Sequence, residues 1–204
     1  IIRERVNIVS VVPTLLAFLL DKKVDATGAR EAGFRHIICG AGPLTCELVR
    51  GFEEYFNFPV VHGYGLSETT CYTCFLPADL SDLERRHWLL DYGFPSIGVP
   101  LPCNEMAICD QEGNPLPEME RGEICTRGAN VMREYFNNPP ANESAFTFGW
   151  FRSGDEGFYK LDEQGRPFFF ITGRIKELII RGGVNLAPLE IDEIIARAAA
   201  TPIC

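Results

Sequence analysis

An α/β fold is what this sequence predicts: a parallel sheet with covering helices, joined to a hairpin-rich β subdomain. Three observations predict it. Short apolar runs alternate with amphipathic stretches as far as His62. After Tyr92 the texture changes to short apolar segments separated by Asp/Asn/Gly/Pro turns. Near the end, a strand, a diglycine and a Pro-started helix follow in close order.

Asn7 to Val12 reads as a buried strand, and Pro13 suits the first turn of a helix reaching Lys22. His36-Ile37-Ile38-Cys39 is a second short strand, broken at Gly40-Ala41-Gly42-Pro43. Thr45 to Phe56 is amphipathic, with Leu48, Phe52, Tyr55 and Phe56 on one face. Val60-Val61-His62 is a third strand. Strand, helix, strand, helix, strand implies parallel pairing. Further on, Asn104–Cys109 and Glu123–Arg127 are strands around the turn Asp110–Pro115, and Asn130–Asn138 is read as a short helix. Tyr159–Gly173 repeats the hairpin plan around Asp162-Glu163-Gln164-Gly165. Glu177–Arg181 is a last strand. Pro188 opens a helix with Leu189, Ile191, Ile194 and Ile195 apolar and Glu190, Asp192 and Glu193 near its N-terminus, as the helix dipole favours.

The chain has 204 residues, 46% of them apolar and 23% charged, enough to build a core. A net charge of -9 argues against nucleic acid or an anionic membrane as main partner, since both reward basic patches. No window approaches the roughly 18 unbroken apolar residues of a membrane span. Eight cysteines at irregular spacing, with no leader pattern, point to reduced thiols and a cytoplasmic setting. Cys71-Tyr72-Thr73-Cys74 has CxxC spacing without a second pair or neighbouring histidines, so two half-buried thiols are expected there rather than zinc. Both ends look cut, and the chain is expected to be a segment of a longer polypeptide.

Five stretches carry chemistry. Gly40-Ala41-Gly42-Pro43-Leu44 follows a strand and precedes a helix, where open α/β sheets bind ligands and small residues let a flat ligand approach the backbone. A tight connecting turn would use the same residues. His62-Gly63-Tyr64-Gly65-Leu66-Ser67-Glu68-Thr69-Thr70 combines a ring able to stack, a hydroxyl able to meet phosphate and a carboxylate able to hold Mg²⁺. A surface turn with a buried Tyr is the alternative. Trp150 to Gly157 sets Asp155 in a glycine-flanked turn between strands, able to accept two ribose hydroxyls or to form a plain Asx turn. Gly173-Arg174-Ile175-Lys176-Glu177 offers two cations for an anionic ligand, a flexible joint, or an ordinary guarded strand edge. Arg181-Gly182-Gly183 leads through Val184–Ala187 to the Pro188 helix.

Taken together and in this order, the five stretches resemble the AMP-forming adenylating superfamily: acyl-CoA synthetases, firefly-type luciferases and peptide-synthetase adenylation domains. The resemblance runs from about residue 6 to about residue 197 and looks most like bacterial-type acyl-CoA synthetases. It implies joining a carboxylic acid to the α-phosphate of ATP, then transferring the acyl group to coenzyme A. It implies adenine between Gly40-Ala41-Gly42-Pro43 and Tyr64, with His62 and Gly63 beside it. Ser67 would meet the α-phosphate, where the family usually has Thr, and Glu68 would bind Mg²⁺. Asp155 would hold the ribose, Arg174 the ribose or phosphate side. Lys176 would lie at the hinge of a rotating C-terminal domain, and Gly182 and Gly183 would line the pantetheine channel. Residues 1–92 would be the α/β part of the large domain, 93–173 its β-rich subdomain, and 174–204 the hinge and the start of a small α+β domain. Cys39, Gly63, Gly65, Leu66 and Cys71 would border the acid pocket. The family's Ser/Thr/Gly-rich phosphate loop and its C-terminal catalytic lysine do not occur in this sequence, so the chain alone is expected to be inactive. Two other readings stay open: an adenylation domain loading a carrier protein, and a non-catalytic nucleotide-binding fragment.

Overall fold

The computed structural model describes residues 1–181 and 184–199. β1 (Ile8–Val11) is followed by α1 (Pro13–Asp21), whose Pro13 fills the first helical turn, where a missing N–H leaves no bond unmade. β2 (His36–Cys39) leads through the Gly40–Leu44 loop into α2 (Cys46–Phe56). Thr45 caps α2 by accepting from the Leu48 N–H at 3.2 Å, and Asn57 ends it in the left-handed conformation. β3 (Val60–Tyr64) is buried throughout. A 3-10 turn (Ser67–Thr69), β4 (Cys74–Phe75), α3 (Asp82–Leu90) and β5 (Ser96–Pro100) come next. β6 (Asn104–Cys109), β7 (Gly122–Gly128), α4 (Pro139–Ala145), β8 (Phe146–Thr147), β9 (Trp150–Leu161) and β10 (Pro167–Arg174) follow. A 3-10 turn (Ile175–Glu177), β11 (Ile179–Arg181), β12 (Val184–Leu186) and α5 (Pro188–Ala199) complete the described chain.

The parallel trio β1–β2–β3 and the hairpin-rich strands belong to one sheet, in the order β1-β2-β3-β4-β5-β10-β9-β7-β6, with β8 added on β9. Pairing is parallel within the trio and antiparallel from β3 to β6. The short antiparallel β4 and β5 bridge the two textures read from the sequence.

One apolar cluster joins Leu16 of α1, Val49 and Phe52 of α2, Val60 of β3, Leu89 of α3 and Phe168 and Phe170 of β10. Trp88 of α3 stacks on Phe168 with ring centroids 3.8 Å apart. Glu53 is buried yet paired: it accepts from the Val60 N–H at 2.9 Å and meets the Arg85 guanidinium, tying α2 to β3 and α3. A second cluster gathers Tyr64, Ile97, Ile108, Ile124 and Phe169 beneath the β-rich half.

Several local expectations need correction. The short helix is Pro139–Ala145, not Asn130–Asn138, because Asn138 caps it through the Ala141 N–H and Pro139 starts it. Asp155 lies inside the long strand β9 rather than in a turn between strands. Three residues there, Ser153, Gly154 and Asp155, face Ile124 of β7 alone, so the turn composition marks a bulge. The buried face of α2 is Cys46, Val49, Phe52 and Glu53, while Tyr55 is exposed. The strand placed at Glu177–Arg181 begins only at Ile179, after the Ile175–Glu177 turn. On α5, Ile191, Ile194 and Ile195 are exposed and the acidic Glu193 is buried. Its Oε1 accepts from the Cys46 N–H at 2.9 Å, at the positive end of α2. Cys71 is exposed and Cys74 fully buried, so the CxxC thiols do not share one half-buried setting.

Candidate functional site

A cavity of about 850 Å³ opens where β2 and β3 end, beside the β9 bulge and the first turn of α5. Ala41, Gly42 and Pro43 line it, together with the buried His62, Gly63 and Tyr64 and, at a more exposed lip, Ser67 and Glu68. Asp155 of β9 and Arg174 of β10 also line it. Gly40 does not line the cavity. It sits behind, where an added Cβ would stand 2.8 Å from the Gly63 carbonyl oxygen. Lys176 lies off the lining, and Gly182 and Gly183 fall outside the described residues. Of the residues expected to border an acid pocket, Gly63, Gly65 and Leu66 line this cavity; Cys39 is fully buried and Cys71 is absent from the lining.

The local sequence explains these placements. Ala41 holds a left-handed φ of 60°, a conformation costing on the order of 1 kcal/mol for a residue with a side chain. Gly65 lets the Tyr64 loop fold back on itself: a Cβ there would lie 1.7 Å from the Cys71 carbonyl oxygen. The bulge is held by its own side chains. Ser153 Oγ donates to the Ile124 carbonyl at 2.6 Å and accepts from the Asp155 N–H at 3.0 Å. Arg174 pairs directly opposite Asp155 across the β9–β10 ladder.

Asp155 is the electrostatic centre of the buried side. Tyr64 Oη donates to its Oδ2 at 2.6 Å, and Arg174 Nε approaches its Oδ1 at 3.0 Å. Burial pushes the Asp155 carboxyl above its ordinary value, although Tyr64 and Arg174 both favour the ionised form. Burial, and then the neighbouring Asp155, raise the Tyr64 phenol well above its usual range, so it remains a donor. His62 is buried, and its Nδ1 lies 3.0 Å from the Ser96 carbonyl oxygen. Burial lowers its pKa to about 4, so at neutral pH the ring is neutral, with Nδ1–H donating to Ser96.

The lip is more open. Ser67 is exposed and Glu68 half-buried. Tyr135, on the loop after β7, donates to Glu68 Oε1 at 2.8 Å. Burial, then the Glu68 bond, raise its phenol to about 12. Among the described residues no donor reaches Glu68 Oε2, and no group of three or more His/Cys/Asp/Glu could hold a metal ion. One half-committed carboxylate beside an open cavity fits a Mg²⁺ that takes most of its oxygens from phosphates and water.

Sequence reasoning missed Tyr135, Ser153 and the Leu189 and Asp192 side chains of α5, all at the cavity. Asn138-Pro139 as a helix start would have put Tyr135 in the preceding loop, but not beside Glu68.

Residues 1–136 match the model of the AMP-binding enzyme family, and the chain belongs to that family. It is 37% identical over 189 residues to a sulfoacetate–CoA ligase of Cupriavidus necator, covering 92% of this chain and 34% of that protein. It is 33% identical over 184 residues to an oxalate–CoA ligase of Arabidopsis thaliana, covering 90% of this chain and 33% of that protein. The chain therefore spans about a third of the length of the curated relatives it matches. Among solved structures, O-succinylbenzoate coenzyme A synthetase from Bacillus subtilis in complex with ATP and magnesium ion superposes with a TM-score of 0.75 at 33% identity, covering 97% of this chain and 38% of that one. The same enzyme with its acyl-adenylate intermediate gives 0.76 at 34% identity, covering 96% and 36%. The α/β fold read from the sequence is thus the fold of adenylating enzymes. Among the described residues no helix is long and apolar enough to cross a membrane.

Proposed function

We propose that this chain is part of an ATP-dependent, AMP-forming acid–CoA ligase, which activates a carboxylic acid as acyl-AMP and passes it to coenzyme A. The observation that carries the reading is the convergence of three separate sequence stretches on one cavity. The Ala41–Pro43 loop, the His62–Glu68 loop and the Asp155–Arg174 pair come from different elements and meet around the same space.

In this reading adenine lies between the Ala41–Pro43 backbone and the Tyr64 ring, with Gly40 behind the loop allowing its close packing on Gly63, and the neutral His62 borders the base. Asp155 accepts from the ribose hydroxyls, with Tyr64 and Arg174 holding its two oxygens in place. Ser67 donates to the α-phosphate as charge shifts onto it. Glu68 holds Mg²⁺, which supplies charge neutralisation at the phosphates. The carboxylic acid enters beside Gly63, Gly65 and Leu66. Residues 174–204 begin a small C-terminal domain after the large domain's α/β part (1–92) and β-rich part (93–173). The break from β10 through a 3-10 turn to β11 around Lys176 suits a joint. Gly182 and Gly183 line the path of the pantetheine arm. The relatives named as CoA ligases favour coenzyme A over a carrier protein as acceptor. A cytosolic setting fits the seven unpaired cysteines among the described residues.

The half-reactions separate experimentally in the full-length protein. Gly183→Leu is expected to keep acid-dependent ATP–pyrophosphate exchange and to abolish acyl-CoA formation. Equal loss of both steps would remove Gly183 from the thioester path. A panel of carboxylic acids in the same exchange assay identifies the substrate; exchange with none of them would count against the activity itself.

A further inference from the structure

Glu68 and Tyr135 are 67 positions apart, yet their side chains meet at 2.8 Å. The approach is built rather than incidental. Met132 N–H donates to the Glu68 carbonyl at 2.7 Å, Thr70 Oγ1 donates to the Asn130 carbonyl at 3.0 Å, and Asn130 Nδ2 donates to the Tyr72 carbonyl at 2.9 Å. Asn142 fixes Tyr135 from the other side: its Oδ1 accepts from the Tyr135 N–H at 2.6 Å and its Nδ2 donates to the Tyr135 carbonyl at 2.9 Å. The loop that carries the phenol is thus stitched to the loop that carries the carboxylate.

We propose that Tyr135 is a positioning residue for Glu68, holding one carboxylate oxygen so that the other is presented to a divalent cation. The chemistry favours a phenol in this place. A glutamate at an open lip has several rotamers of similar energy, and each must be surrendered when a cation binds. A hydrogen bond to Oε1 selects one in advance. A lysine or arginine would do so too, but would neutralise the charge that attracts the cation. The phenol orients the carboxylate and leaves its charge intact. The inference rests on the reading of Glu68 as the cation ligand.

The test uses the full-length protein with Tyr135→Phe, Glu68→Gln and Thr70→Val. Mn²⁺ binding in the presence of ATP is read by electron paramagnetic resonance, and the Mg²⁺ concentration for half-maximal ATP–pyrophosphate exchange is measured alongside. Tyr135→Phe keeps the ring and removes only the hydroxyl. It is expected to weaken Mn²⁺ binding and raise the Mg²⁺ requirement by roughly tenfold to a hundredfold, with exchange at saturating Mg²⁺ largely retained. Thr70→Val removes one stitch of the same loop without touching the phenol, and is expected to lower the melting temperature while weakening Mn²⁺ binding clearly less than Tyr135→Phe does. Wild-type Mn²⁺ affinity in Tyr135→Phe, with Glu68→Gln clearly weakened, would overturn the positioning role and leave Glu68 as ligand. Equal weakening in Thr70→Val and Tyr135→Phe would overturn it too, reducing the phenol to loop stability. Wild-type affinity in Glu68→Gln would remove the metal-ligand reading and the inference with it.

Discussion

At the back of the cavity Tyr64 and Asp155 are 9% and 4% exposed and already bonded to each other, whereas at its lip Ser67 is exposed and Glu68 keeps an oxygen without a donor among the described residues. The back is satisfied before any ligand arrives. Removing one partner there leaves a buried polar group unpaired, so function and stability are coupled. The lip leaves polar atoms uncommitted to other side chains of the described residues. Chemistry and stability are separable there. In the proposed reading, the buried side would hold a nucleoside rigidly and the lip would take a phosphate and a cation transiently.

Three changes test this contrast, from the largest effect to the smallest. Asp155→Ala in the full-length protein is expected to lower kcat/KM for ATP by roughly a thousandfold, the worth of two hydrogen bonds to a charged group. It is also expected to cost about 1–3 kcal/mol of stability, because the buried Tyr64 hydroxyl loses its acceptor. Exchange kinetics and chemical denaturation measure the two together, and loss of one without the other would break the contrast.

The second concerns acid. The folded pKa of His62 lies at about 4, below its ordinary value near 6.5, because burial penalises the charged ring. A base whose pKa is lowered on folding contributes stability above its unfolded value. That contribution is lost as pH falls from about 6.5 towards about 4, up to about 3 kcal/mol in all. His62→Gln, which keeps a donor for Ser96 but cannot titrate, is expected to flatten that part of the stability–pH curve. Identical curves for the two proteins would show that the ring charges without penalty.

The smallest structural effect is expected at the lip. Ser67→Ala should leave unfolding free energy within about 0.5 kcal/mol of wild type, as for other exposed positions. Adenylation should nevertheless fall roughly tenfold for one lost hydrogen bond. A large loss of stability would place Ser67 with the buried side instead.

Much of this arrangement was legible in the sequence, because local rules act over short spans. Pro13 announced α1, and Thr45 with the apolar spacing announced α2. The alternation of strands and helices fixed the parallel trio. Turn composition between Asp162 and Gly165 marked the β9–β10 hairpin. The same rules failed where two patterns share a composition. Ser153-Gly154-Asp155 is as good a turn as it is a bulge, and the choice depends on β7, which lies about thirty residues earlier in the chain. The helix at Asp82–Leu90 went unread although Ser81 and Glu84 form a capping box. On α5 the residue types alone do not say which side packs, and Ile191, Ile194 and Ile195 are exposed. Instead the helix buries Glu193, whose carboxylate serves the N-terminus of α2, a partner 147 residues away.

The sequence by itself determined the parallel trio, the β6–β7 and β9–β10 hairpins and the residue types of the site: a small-residue loop, a Tyr-Gly-Leu-Ser-Glu run, an acid among glycines and a Gly-Arg pair. Each depends on neighbours within a few residues, where backbone preference and spacing carry the information. Only the tertiary structure decided which of them share a cavity, that Asp155 is held between Tyr64 and Arg174, and that Tyr135 meets Glu68. Those contacts span 91, 19 and 67 positions, and a hydrogen bond between side chains so far apart leaves no periodicity along the chain to be read.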